Sequence, residues 1–308
     1  MDRVSQGTVV TIGNFDGVHR GHQQLIECGR RHAQQLGMDL VAVTFDPHPR
    51  TVLKSEPTRS FIITSTAEKQ VLLKRLGVSR VDVLAFTKEF SEMTARAFLD
   101  EEIGQRLKSR MVVVGHNFTF GRGGQGTPEL LHHWGQEHGV EVEVLDPVYD
   151  RGGRQISSSR VRAAIAAGEL DEAAQLMGRP FQVYASIVSG AGRGRSMGIP
   201  TANMAIGIDH IMPPMGIYAG YCVLPSGETA PAVASWGLRP TFADLDQPLL
   251  EVHVIDRTDD LTGLPLWFGF VQKIREERYF DRVEDLVRRM QDDVAIARAG
   301  YDPARWKY

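Results

Sequence analysis

The sequence predicts an α/β domain on a parallel sheet, followed by a small antiparallel β-barrel or sandwich and a closing helix. Three observations carry this expectation. Strand-like and helix-like segments alternate through the first half of the chain. Beyond about residue 150 the pattern changes to short β-rich runs separated by glycine and proline turns. The length, 308 residues, suits about two domains, each with a core of its own.

The elements follow in order. Residues 8–12 form a β-branched run, and 21–36 have helical spacing of apolar positions. Residues 39–45 are again β-rich, followed by a helical pattern at 67–76. The alternation continues with a strand at 81–86, a helix at 95–107 and a strand at 111–115. A helix at 128–138 and a strand at 140–145 complete the first domain's sheet. Two short helices, 158–167 and 170–177, lead into β runs at 181–188, 217–223, 230–234, 249–255 and 266–274. An amphipathic helix at 283–297 closes the chain. The boundary is expected at about 178–183, giving domains 1–180 and 181–308.

Composition narrows the function classes. Hydrophobic residues make up 42% and charged residues 24%, as in ordinary globular proteins. The formal charge of −3 leaves no basic surplus of the kind that neutralises nucleic-acid phosphates, so no nucleic-acid partner is expected. Cys28 and Cys222 lie far apart with no paired CxxC, which excludes a disulfide framework and a cysteine-built zinc site. The run at 8–12 is too short for a signal-peptide core, and no apolar stretch approaches the ~20 residues that span a bilayer. A cytoplasmic protein with no membrane partner is the expectation, and no feature points to a particular protein partner.

GNFDGVHRGH, residues 13–22, is the most informative segment. It falls where a strand turns into a helix, so first-turn N–H groups face whatever lies over the sheet edge. His19 and His22 share a face if the helix begins by His19. Gly21 between them leaves room for a phosphate near the backbone. Imidazoles and helix-end amides suit an α-phosphate that gains negative charge during attack. The chemistry indicated is nucleotidyl transfer with loss of pyrophosphate. By spacing alone, such a pair can also coordinate a metal or cap a helix.

GNFDGVHRGH resembles the first motif of the HxGH nucleotidylyltransferases, in the form found in bacterial bifunctional riboflavin kinase/FAD synthetases. TFDPHP at 44–49, GHNFTFG at 115–121 and ISSSRVR at 156–162 resemble that module's next segments, in order, with Ser for Thr at Ser159. The resemblance implies a Rossmann-like domain that transfers AMP from ATP to FMN. His19 and His22 would stabilise the α-phosphate transition state, with Gly13, Asn14, Phe15 and Asp16 in the ATP-binding loop. Ser158, Ser159 and Arg162 would hold the outer phosphates, while Asp46 and Asn117 would line the flavin side. Without their companions, the TFDPHP turn could be only a rigid loop, and Ser157–Ser159 only a helix cap.

A second constellation lies in the β-rich half. Residues 190–198, GAGRGRSMG, fit neither GxGxxG nor a Walker loop, since neither register completes. A Gly/Arg loop after a strand can still offer amides and guanidinium groups to phosphates, through Gly192, Gly194 and Gly198, or can be a plain surface loop. GIPTAN at 198–203 resembles the PTAN motif of the riboflavin kinase module. The GIYAG run at 216–220, the G-x-x-PTF turn at 237–242, EVHVID at 251–256, and Arg275 with Phe280 also resemble it.

By that resemblance, Thr201 and Asn203 would hold Mg²⁺ with ATP, and Glu251 would take the proton from the 5′-hydroxyl of riboflavin. Arg275 would help hold the flavin. Unaided, Glu251 reads as a solvated strand residue. Two departures from the family pattern stand out: Ser235 replaces a common Asn, and Thr262 replaces a common Tyr. The expected function is two-step flavin cofactor synthesis from riboflavin, FMN and ATP. The alternatives are an adenylyltransferase with a silent barrel, and a flavin-binding sensor that lacks turnover.

Overall fold

Thr8–Ile12 (β1) and Asp39–Asp46 (β2) are rich in β-branched residues, whose stiff side chains suit a strand buried on both faces. In a computed structural model of the chain, residues 7–54, 60–188, 199–238, 248–257 and 261–303 are described. There β1 and β2 pair in parallel, joined by Arg80–Ala85 (β3), Ser109–Gly115 (β4) and Glu141–Leu145 (β5). The strand order is β3-β2-β1-β4-β5. The chain walks outward from β1 to β3, then restarts at β4 on the other side of β1. Parallel sheets open a ligand crevice at the carboxyl ends of the strands where this reversal occurs. The loops leaving β1, β2 and β4 carry three of the four motifs, so the topology gathers them at one edge.

Arg20–Leu36 (α1) packs against β1, β2 and β4, and Gly29 lets it come close, since a Cβ there would stand 2.8 Å from Leu40. The helix stops at Gly37, whose left-handed backbone (φ 66°) returns its N–H to the carbonyls of Ala33 and Gln34. On the opposite face, Val10, Ile12, Val43, Val112 and Val114 pack with Phe98, Leu99, Ile103, Leu131 and Trp134. Pro49–Leu53 (α2), Thr66–Arg75 (α3), Lys88–Ser91 (α4), Ala95–Ala97 (α5) and Pro128–His138 (α6) complete this unit's helices. The expected helix at 95–107 is present, but from Phe98–Arg106 it winds as a wider π-helix. Gly104 makes room there for the Trp134 ring, whose indole N–H donates to Asp100 at 2.7 Å.

The chain divides into two compact units, Met1–Ser158 and Ser159–Tyr308. The second contains nearly all of Ser158–Ala167 (α7), then Leu170–Met177 (α8), which packs against strand Pro265–Arg275 (β11). Its remaining strands are Gln182–Val188 (β6), Ala202–Met204 (β7), Gly216–Val223 (β8), Thr229–Leu238 (β9) and Pro248–Val254 (β10). They close into an antiparallel barrel, in the order β10-β7-β6-β11-β8-β9 with β9 pairing back to β10. Of the expected barrel and sandwich, the structure is the barrel.

Its interior alternates small and large residues, which lets side chains from facing strands fill the centre. Ala230, Ala232 and Ala234 face inward with Leu250, Val252 and Val254, and all are buried. Opposite them Phe268 and Phe270 meet edge to face at 4.8 Å. Gly220 has no alternative, because a Cβ would lie 2.6 Å from the Phe268 ring.

The closing helix, Val283–Ala299 (α9), packs on the barrel's outer wall against β8 and β9. Its Asp293, only 2% exposed, accepts from Nε and Nη2 of Arg275 at 3.1 and 2.8 Å. Removing one partner of a buried pair strands the other charge at a cost of about 3–5 kcal/mol. Asp293→Ala is therefore expected to lower barrel stability by that order in denaturant unfolding. A change under about 1 kcal/mol would show the pair is well solvated.

Candidate functional site

The first site is built by the loop after β1. Phe15 and Val18 adopt positive φ (47° and 40°), and Gly17 lies between them at 88°. Non-glycine residues hold such backbone only where the surroundings over-determine it. The anchors are visible. Phe15 is fully buried, with its ring edge-on to His22 at 5.4 Å. Asp16 is 1% exposed, and its Oδ1 accepts the N–H groups of Ile63 and Thr64 at 2.9 and 3.0 Å. The Thr64 hydroxyl in turn accepts from the N–H of Gly17 at 2.9 Å. Asp16, expected among the ATP-binding residues, thus clamps the loop through its side chain.

Hydrogen bonds to a charged acceptor contribute about 1.5–3 kcal/mol each. Asp16→Ala should destabilise the sheet unit by about 3 kcal/mol and abolish FAD formation, as read by thermal unfolding and flavin chromatography. An unchanged melting profile would sink the clamp.

His19 is the N-cap of α1, not its first helical residue: its Nδ1 accepts from the N–H of His22 at 3.4 Å. An imidazole that accepts at Nδ1 carries its donor hydrogen on Nε2. The two rings stack, with centroids 3.7 Å apart and planes 15° apart. Gly21 permits this, since a Cβ there would stand 3.1 Å from the His19 ring. The cap thus turns the ring and leaves Nε2 as its donor.

Asn14, Asp46 and Asn117 follow or end β1, β2 and β4 at the same sheet edge. Asn14 is exposed, and its carbonyl accepts from Thr44 Oγ1 at 3.3 Å. Asp46 ends β2 ahead of a cis Asp46–Pro47 bond and accepts from Thr66 Oγ1 at 2.8 Å. Asn117 is exposed in the loop after β4, beside the stacked pair Phe118–Phe120. Ser158 donates to the carbonyl of Asp16 at 2.8 Å, tying the fourth motif to the first. Ser159 and Arg162 follow it in α7, one turn apart on one face. Lys69, 2% exposed, escaped notice in the sequence. Burial pushes its ammonium pKa down, while Asp16, Asp46 and Glu68 pull it up. Its signal was faint, a lysine inside a helix pattern that ordinarily faces water.

The second site lies on the barrel's outer wall. Register fixes it: Asn203 pairs with Glu251, Glu251 with Ser235, Ser235 with Ile217, and Ile217 with Arg275. Directly opposed residues share a face, so five strands contribute to one continuous row. Thr201 Oγ1 lies 3.5 Å from Glu251 Oε2, and Asn203 is buried beside them. His253, two residues along β10 and on the same face, hydrogen-bonds the Pro200 carbonyl at 2.8 Å and so anchors the segment bearing Thr201. Strand periodicity could have singled out His253.

Ser235, the first departure, sits directly beside Glu251 and hydrogen-bonds Glu277. Thr262 falls in a turn fastened to β6 by the Gly263 N–H and the Ile187 carbonyl at 2.9 Å. Arg275 stands at the far end of the row, gripped by Asp293. Gly192, Gly194 and Gly198 lie outside the described residues, as do residues 239–242 of the turn after β9.

Two constellations suited to phosphate chemistry, one at a parallel-sheet crevice and one on a barrel wall, define a bifunctional transferase of nucleotide substrates. A family model described as FAD synthetase matches residues 1–160, and one described as riboflavin kinase matches residues 177–301. The bifunctional riboflavin kinase/FMN adenylyltransferase of Pseudomonas fluorescens is 37% identical, covering 96% of this chain and 93% of its own. Those of Listeria monocytogenes and Escherichia coli K12 are 35% and 34% identical, over 94% and 95% of this chain and 91% and 92% of theirs. The chain belongs to the bifunctional riboflavin kinase/FMN adenylyltransferase family. A solved structure from Streptococcus pneumoniae, described as a macrolide-efflux protein, shares the fold at TM-score 0.82 and 32% identity, covering 98% of this chain and 96% of that one. That description is of the other protein; here no helix among the described residues is long and apolar enough to cross a membrane.

Proposed function

We propose that the barrel makes FMN from riboflavin and ATP at Glu251, and that the sheet domain makes FAD from FMN and ATP at His19 and His22. Both modules match in one chain, which favours this reading over an adenylyltransferase with a silent barrel. The single observation that carries the residue assignment is the pair of local geometries. The histidines stack at the head of α1, and Glu251 shares a register row with Asn203.

In adenylyl transfer, a phosphate oxygen of FMN attacks the α-phosphorus of ATP and pyrophosphate leaves. His19 Nε2, His22 and the first-turn amides of α1 meet the charge that develops there. Gly13, Asn14, Phe15 and Asp16 shape the ATP loop, Asp16 through its clamp. Ser158, Ser159 and Arg162 take the outer phosphates, and Asp46 and Asn117 line the FMN side.

In the barrel, Glu251 accepts the 5′-hydroxyl proton as that oxygen attacks the γ-phosphorus and ADP leaves. Thr201 and Asn203 offer the oxygen donors a hard cation prefers, and so fit Mg²⁺ bound with ATP. The ion would supply charge neutralisation on the phosphates. Gly192, Gly194 and Gly198 are assigned to the ATP phosphates and Arg275 to the flavin end of the row. The domains are placed at 1–180 and 181–308. Two free, buried thiols fit a reducing compartment, and the cytoplasm is the proposed location.

A time course of purified protein with riboflavin, ATP and Mg²⁺, with flavins separated by chromatography, tests the scheme. FMN should appear and then give way to FAD. Riboflavin left untouched while supplied FMN still becomes FAD would silence the barrel, with Ser235 and Thr262 the first positions to revert. Tight flavin binding without turnover in either assay would mark a sensor instead.

A further inference from the structure

Among the described residues, one cluster of metal-ligating side chains stands apart from both sites: Cys28, His32 and Glu143, whose donor atoms all lie within 4.8 Å of one another. Cys28 and His32 are four apart on α1, the spacing that puts two ligands on one helix face. Glu143 comes from the edge strand β5 and is paired in register with Val113. Its two carboxylate oxygens are divided between the other two residues. Oε1 accepts from the Cys28 thiol at 3.1 Å, and Oε2 lies 2.6 Å from His32 Nε2. Cys28 is buried, whereas the His32 and Glu143 side chains are 28% and 37% exposed, so the cluster is walled on one side and open to water on the other.

We propose that these three residues form a site for a borderline divalent metal ion, Zn²⁺, which clips α1 to the edge of the sheet. A tetrahedral zinc ion with bonds of about 2.0–2.3 Å holds its ligand atoms roughly 3.5 Å apart, which the observed separations bracket. Thiolate, imidazole and carboxylate are its usual donors, and the exposed side leaves a fourth position for water. A thiolate in the set selects against the Mg²⁺ that ATP carries, which prefers oxygen. Binding forms bonds from the metal to Sγ, Nε2 and a carboxylate oxygen. The thiol proton leaves to solvent, and the hydrogen that His32 Nε2 donates to Glu143 leaves that nitrogen, so that the neutral imidazole ends protonated at Nδ1. Burial and the Glu143 carboxylate push the Cys28 thiol up to about 11, with Arg31 pulling it back only in part, so the metal itself must displace that proton. The absence of a CxxC excludes a cysteine-built zinc site, but not a mixed one whose third ligand lies 111 residues beyond His32.

Cobalt titration of the chelator-treated full chain tests this, because Co²⁺ bound to thiolate absorbs in the near ultraviolet and Co²⁺ bound to oxygen donors does not. One equivalent should raise that band, and Zn²⁺ should bleach it. Cys28→Ser should abolish it, Cys222→Ser should leave it intact, and Glu143→Gln should weaken Co²⁺ binding by more than about 10-fold, a loss that even an outer-sphere change can bring. FAD formation by the Glu143→Gln variant serves as the check that it is folded. No thiolate band in the parent protein, or a band that survives Cys28→Ser or is unweakened in folded Glu143→Gln, overturns the proposal.

Discussion

His22→Ala is expected to reduce FAD formation from FMN by at least about 10²–10³-fold, the loss seen when a donor to a developing oxyanion is removed. Conversion of riboflavin to FMN should be unaffected, so FMN accumulates. The expectation rests on how His22 is held. Its ring is sandwiched between the stacked His19 and the edge of buried Phe15, and its N–H binds His19 Nδ1. Truncation removes one ring and one wall of the other, so His19→Ala combined with His22→Ala should lose little more than either alone. Equal loss of both activities in the folded His22 variant would contradict two separate sites. A simple fall in affinity for ATP with unchanged turnover would move His22 from transition-state to ground-state binding.

Glu251→Asn gives the mirror result: FMN formation should fall by about 10²–10⁴-fold, the range for removing a positioned general base. FMN supplied from outside should still become FAD. Asn keeps a polar group in the row with Asn203 and Ser235, so β10 should hold its register and the barrel its stability. A variant that melts earlier by the amount that its activity falls would point to a structural role for Glu251. A bare rise in KM for riboflavin would make it a positioning residue.

The sheet was legible because its signals are local. Runs such as VVTI and MVVVG are β-branched, and the longer helices of this unit start or stop at a capping signal such as His19, Ser65 or Gly37. Elements without local signals were missed. Ala202–Met204 is a three-residue strand made by its neighbours in the barrel, and Pro49–Leu53 hides behind a proline-rich turn. The π-winding of Phe98–Arg106 has no residue signature of its own.

The sites divide in the same way. The His19–His22 spacing and the PTAN segment could be read directly, since each is one stretch of chain. What holds them could not. Asp16 reaches Ile63 and Thr64 some 47 residues away, and Arg275 meets Asp293 across the start of α9. Such partners are set by topology, and one sequence carries no statement of which distant backbone amide a carboxylate will meet.

The barrel strands β9 and β10 interleave their two kinds of residue: Ala232, Ala234, Leu250 and Val252 fill the centre, while Ser235, Glu251 and His253 point outward between them. Heritable change can therefore act on the two sets separately. Substitutions that refill the centre would adjust heat tolerance and leave the reacting groups in place. Substitutions along the outer row would change the side chains that line the wall without hollowing the core. A single-residue insertion or deletion within β10 joins the two fates. It would turn the glutamate into the packed centre and a valine out to water. Lineages of this barrel are thus free to vary by replacement in these strands and constrained against changes in their length.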